Sequence, residues 1–224
     1  MDRYLHAFDA AEQARIQGNN EKAVLLYAEA ASLAEYSSAA NLVELHLRWG
    51  MTLLDLGADH AAEAWTHLIE AKQHRPHLLE SVAIDRELGR ACLIKQDLRA
   101  ARRYIDLALE SAPDEEPAER GACLGMKARY LIAGGYVTHA LEDFGTASML
   151  LQRSNNRYYE LENGLEFAEA LAEHSTLEQL ESLNSYFDRV GWLATKYGGK
   201  SHRRRWQELV HRIREMKGLA VPTH

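Results

Sequence analysis

The apolar positions of this chain follow a helical rhythm rather than an alternating one, and the rhythm itself repeats. Between Val82 and Arg120, the residues Leu88-Gly89, Ala101, Ala108 and Pro113 mark two amphipathic stretches joined by a short turn. A step of 39 residues carries Gly89 onto Gly50 and Ala11 behind it and onto Ala128 ahead, while Ala101 maps onto Ala62, Ala23 and Ala140. Bulky residues form a third column, Tyr27, Thr66, Ile105 and Phe144, and Ala30, Ile69, Ala108 and Ala147 form a fourth. Thr66 and Ile69 depart from their columns, which predicts different packing in the second unit. Turns recur at Gly18-Asn19-Asn20, Gly57-Ala58-Asp59, Gln96-Asp97 and Gly134-Gly135, where Gly or Asn takes the left-handed backbone that ends a helix.

Self-similarity at such a period predicts stacked helix hairpins, because one helix pair cannot bury its apolar face alone. The predicted class is all-α, one domain over residues 1–224. Its repeats run over about 4–42, 43–81, 82–120, 121–159 and 160–198, and a capping helix covers 200–217. Beyond Asn155 the pattern decays into an amphipathic pair, Tyr158 to Glu173 and Thr176 to Lys196, with Thr176 and Gln179 as a capping-box match. In the final stretch Trp206, Leu209, Val210, Ile213 and Met216 share one face, which predicts a cap with its arginines turned to water.

These columns resemble the tetratricopeptide repeat (TPR) family, whose pattern sets a small residue in the first helix against Ala, a bulky residue and Ala in the second. The third unit follows the family spacing throughout; in the fourth, Lys127 stands where the pattern has Leu. The family period is about 34 residues, yet Ala11 to Ala30, Gly89 to Ala108 and Ala128 to Ala147 each keep one spacing. The added length therefore falls between units. The resemblance implies a right-handed α-solenoid whose first helices line a concave groove.

Composition narrows the functional classes. Only four prolines are present, and the formal net charge of −7 argues against nucleic acid as a partner of the whole surface. The charge is uneven: residues 200 to 217 hold seven Lys/Arg against two Glu, so this tail is positive and the rest strongly acidic. Cys92 and Cys123 both fall in helical patterns, which suits small core residues in a reducing compartment. Neither a signal-peptide layout nor an apolar run long enough to span a membrane is present, and a cytoplasmic location is expected.

No glycine-rich phosphate loop, zinc-type cysteine pair, metalloprotease motif or nucleophile elbow occurs in the sequence, so no catalytic residue and no cofactor is expected. His60, Glu63, His67, Glu70 and His74 line one face of a helix. A straight stripe presents about two ligands at a time, whereas a structural zinc site needs four converging, so a solvated face is expected and no metal. The register places Leu47 and Met51, Arg86 and Arg90, and Arg129 in groove slots of successive units. Arginine forks suit carboxylates or phosphates, although acids such as Asp85 or Glu87 could equally neutralise them. The family's carboxylate clamp is not matched, since Phe8, Glu12, Leu47 and Met51 fill its slots. The basic run His202-Arg203-Arg204-Arg205 lacks interleaved aromatics and reads as a polar face. The expectation is a noncatalytic scaffold binding a peptide or protein with an acidic group. The alternatives are a module sensing a peptide or small signal and, behind it, a metal-dependent enzyme component using the His/Glu stripe.

Overall fold

A computed structural model describes residues 2–34, 38–74, 76–174, 176, 180 and 183–218. Each predicted turn ends its helix in the same way. Gly18, Gly57, Gln96 and Gly135, in equal steps along the chain, all have positive φ, at 77°, 111°, 59° and 82°. Three are glycines, which adopt that backbone without a Cβ penalty; Gln96 adopts it despite its side chain. After the first and third of these turns, Asn19 and Asp97 cap the next helix, accepting from the backbone N–H of Lys22 and Ala100 at 3.3 and 3.0 Å.

The helices so delimited are α1 (Asp2–Ile16), α2 (Asn20–Ser32), α3 (Ala39–Leu56), α4 (Ala61–Gln73), α5 (Leu78–Ile94) and α6 (Leu98–Ser111). They are followed by α7 (Pro117–Ala133), α8 (Val137–Arg153), α9 (Arg157–His174), α10 (Asn184–Lys196) and α11 (Lys200–Met216). The described residues are thus all-α, packed as sequential helix pairs that form two compact units, Met1–Ala112 and Pro113–His224.

In the first unit α1 packs on α2, α2 on α3, α3 on α4, and α5 on α3, α4 and α6. Its core is built from Ala11, Ala23, Tyr27, Ala30, Leu45, Leu53, Leu68 and Leu88, all fully buried. The second repeat corrects the sequence register. Ala62 is exposed and Ala61 is buried in its stead, with Ala64, Leu68 and Ala71 completing the inward face of α4. A 3-10 turn over Ala58–His60 precedes α4 and shifts its inward face back by one position. Leu68 therefore takes the place expected of Ile69, and its Cγ lies where a Cβ on Gly50 would come within 2.8 Å. A larger side chain in α4 is accommodated by the missing one in α3.

In the second unit Pro117 stands in the first turn of α7, where its lost N–H would have no helical partner anyway. α9 is the hub, touching α7, α8, α10 and α11. Phe144 and Phe167 stack at 3.9 Å, and Tyr186 meets both edge-on. The capping-box residue Gln179 lies outside the described residues, so the expected helix from Thr176 is seen from Asn184 onward. In α11, Leu209 is buried and Trp206 packs against Gly191, as the apolar face predicts, whereas Met216 at the end of that face is exposed. The expectation that its arginines all face water is corrected: Arg205 bonds Glu169 at 2.8 and 2.9 Å and Glu162 at 2.8 Å, both on α9.

Candidate functional site

The sequence-predicted arginines are largely engaged by the protein's own acids. Arg86 is buried, with Nε 3.3 Å from Glu87, on a helix that buries Asp85, Arg86 and Glu87 in succession. Arg90 donates to Asp55 of α3 at 2.7 Å and to Glu87 at 3.4 Å. Leu47, Met51 and Asp55 are spaced by four on α3, so the Arg90–Asp55 pair lies at the end of the expected apolar row. Leu47 is itself buried, and Met51 packs against the core. Arg129 belongs to the second unit, where it donates to Glu166 at 2.7 Å. An acid already within bonding distance lowers the affinity of such a fork for an outside anion.

The uncommitted cations of the first unit lie elsewhere. α6 buries only Ala101, Ile105 and Ala108 and turns Arg99, Arg102 and Arg103 outward. Arg102 pairs with Asp106 at 3.4 Å, whereas Arg99 and Arg103 have no ion pair among the described residues. Beside them Trp65 and Tyr104 meet edge to face at 5.3 Å, with Lys95 Nζ 6.0 Å from the Trp65 ring. Together with Cys92 these groups line an open cleft of about 520 Å³. A hollow of about 380 Å³ shares Arg99 and Arg103. The one acid in the larger cleft, Asp97, is occupied as the cap of α6. Burial pushes the Cys92 thiol up to about 11, so it is present as a thiol and not a nucleophilic thiolate at neutral pH.

The His/Glu stripe on α4 divides. His60 stands before the first residue of α4, while Glu70 and His74 meet at its other end, Glu70 Oε1 3.4 Å from His74 Nε2. There α3 contributes a residue the stripe does not contain. One ligand atom each from His46, Glu70 and His74 lie within 4.8 Å of one another. His46 Nδ1 is also 3.1 Å from His67 Nδ1, and Trp49 stacks on the His67 ring at 3.8 Å. Burial lowers the affinity of both imidazoles for a proton, bringing His67 to about 4, so both are neutral near pH 7. Between two neutral rings one Nδ1 donates and the other accepts. His46 escaped sequence reasoning because it lies on the partner helix; the hairpin register, which sets α3 beside α4, was the signal that could have found it.

Neither a family model, nor a curated protein, nor a solved structure matches the chain. Among the described residues no helix is long and apolar enough to cross a membrane.

Proposed function

We propose that this chain is a noncatalytic, TPR-like interaction module that binds a peptide or protein segment carrying an acidic group beside an apolar one. The observation that carries the reading is the pairing of uncommitted cations with a half-buried aromatic pair in the cleft between α4 and α6. Arg99, Arg103 and Lys95 offer charge and forked donors, and Trp65 with Tyr104 offers an apolar wall. In a chain of net charge −7 a local positive spot steers an anionic group to one place, because the surrounding acids repel it elsewhere. Arg86, Arg90 and Arg129, already facing acids, serve the scaffold first and the partner second. The cleft's volume also lies in the range of small-molecule sites, which favours sensing of a small anionic signal as the second reading.

The test is fluorescence polarisation with a labelled peptide alternating Glu with Phe and Leu. Replacing Arg99 and Arg103 together by Ala is expected to weaken binding about tenfold, which is about 1.4 kcal/mol. Unchanged affinity in that variant, with loss on replacing Arg90 by Ala, would move the site to the arginines of α5. No binding of the peptide, with competition among small carboxylates or phosphates for Trp fluorescence quenching, would favour the sensing reading.

A further inference from the structure

We infer that His46, Glu70 and His74 form a binding site for a divalent transition-metal cation of the zinc class, clipping α3 to α4. Their ligand atoms lie within 4.8 Å of one another, and they come from two helices that pack along their length. Glu70 and His74 are one helical turn apart, the spacing that brings two side chains onto one face, and His46 supplies the third direction a single helix lacks. That third direction removes the objection to the straight stripe. Zinc bonds to imidazole nitrogen and carboxylate oxygen are about 2.0–2.2 Å, so the ligand atoms must draw in by about 1 Å around a cation. The side chains that must move are free to do so: Glu70 is 44% exposed, and His74 sits just past the last residue of α4.

The donor set selects the metal. Two imidazoles and one carboxylate suit zinc, cobalt or nickel and disfavour calcium and magnesium, which take all-oxygen shells. Three protein ligands leave a position for water or an incoming group, as in open zinc sites and unlike a closed structural one. A carboxylate, unlike a third imidazole, also offsets part of the cation's charge in this half-buried place. His60 and Glu63 play no part, since about three to four helical turns separate them from His74.

The experiment uses the full chain stripped with chelator, titrated with zinc chloride by competition against a chromophoric chelator, and separately with cobalt chloride for its visible d–d bands. One equivalent of zinc is expected to bind, with micromolar or tighter affinity. Binding is expected to fall at least tenfold in His46→Ala, His74→Ala and Glu70→Gln and to be unchanged in His60→Ala and His211→Ala. The last removes an exposed His/Glu pair of the same i,i+4 kind, His211 with Glu215. Far-UV dichroism of each metal-free variant reports whether it is folded, and Glu70→Gln, a change of similar shape at a half-buried position, keeps the test open if a histidine variant is not. Absence of a stoichiometric site would overturn the proposal, as would a site that survives His46→Ala or disappears in His211→Ala. Because the zinc readout is independent of peptide binding, its failure leaves the cleft reading untouched.

Discussion

Ala61 and Ala62 are neighbours of identical chemistry and opposite environment, the first 1% exposed and the second open to solvent. Adding a large side chain to a packed small-residue position forces backbone shifts that cost about 1–3 kcal/mol, whereas a surface change of this kind stays within about 0.5 kcal/mol. Ala61→Leu is therefore expected to lower stability by about 1–3 kcal/mol and Ala62→Leu hardly at all, with Gly89→Leu, whose Cβ would lie 2.8 Å from Ile105 Cγ1, as a positive control. Urea melts of the three variants decide it; the opposite order for the two alanines would restore the strict 39-residue register in α4. The columns were legible at Ala11, Ala23, Ala101, Ala128 and Ala140, all fully buried, because small residues at a fixed step have one physical cause, close helix contact. At α4 the same cause was hidden. Two adjacent alanines carry no information about which faces inward, and the 3-10 turn that chooses between them leaves no compositional mark.

Among elements, α11 holds the most separable role. Its Leu209 is buried, Trp206 fills the space left by Gly191, and Arg205 joins Glu162 and Glu169 of α9. Removing residues 200–224 uncovers the apolar ground between α9 and α10 and leaves two acids without their cation, and both losses act in one direction. Gel filtration and a thermal melt of residues 1–199 are expected to show association and a lowered Tm; a monomer melting where the full chain does would remove the capping role. The apolar stripe of α11 was readable from its 3.6-residue period. The ion pairs were not, because a basic run looks the same whether it faces water or the acids of a helix some forty residues earlier. The same limit explains the arginines of α5 and α7: the repeat told which slot they occupy, but Asp55 and Glu166 lie more than thirty residues away from them in sequence. It explains His46 too, since a pattern along one helix cannot report what the neighbouring helix brings to it.

At the scale of the whole molecule, acid response separates two electrostatic effects that the net charge alone would merge. Gly199 N–H donates to His202 Nδ1 at 3.2 Å, which turns the other ring nitrogen, Nε2, to Glu162 at 2.5 Å. Burial by itself raises the Glu162 carboxyl, but the His202 hydrogen bond and the charge of Arg205 outweigh it and hold the group at about 2, below the ordinary 4.5. Glu12 in the first unit is also lowered against burial, by hydrogen bonds from Arg15 and Tyr27. A carboxyl lowered in the folded state binds fewer protons than in the unfolded chain, so its stabilisation is complete above about pH 4.5 and is lost as pH falls toward 2. Net charge acts elsewhere on the scale: the chain passes through neutrality near pH 5.9, where self-repulsion is smallest. Thermal melts from pH 7 to pH 2.5 are therefore expected to show Tm falling mainly below about pH 4.5. Glu162→Gln should start lower at pH 7 and lose its deficit as the pH drops, because it has no proton to take up there. Parallel curves for the two proteins would mean that the α9–α11 pairs contribute nothing to acid sensitivity. Added salt distinguishes the sources, since it screens the exposed surface charges far more than the half-buried Glu162 and Arg205. A Tm difference that persists at 0.5 M salt on the order of its low-salt value places the effect in those pairs.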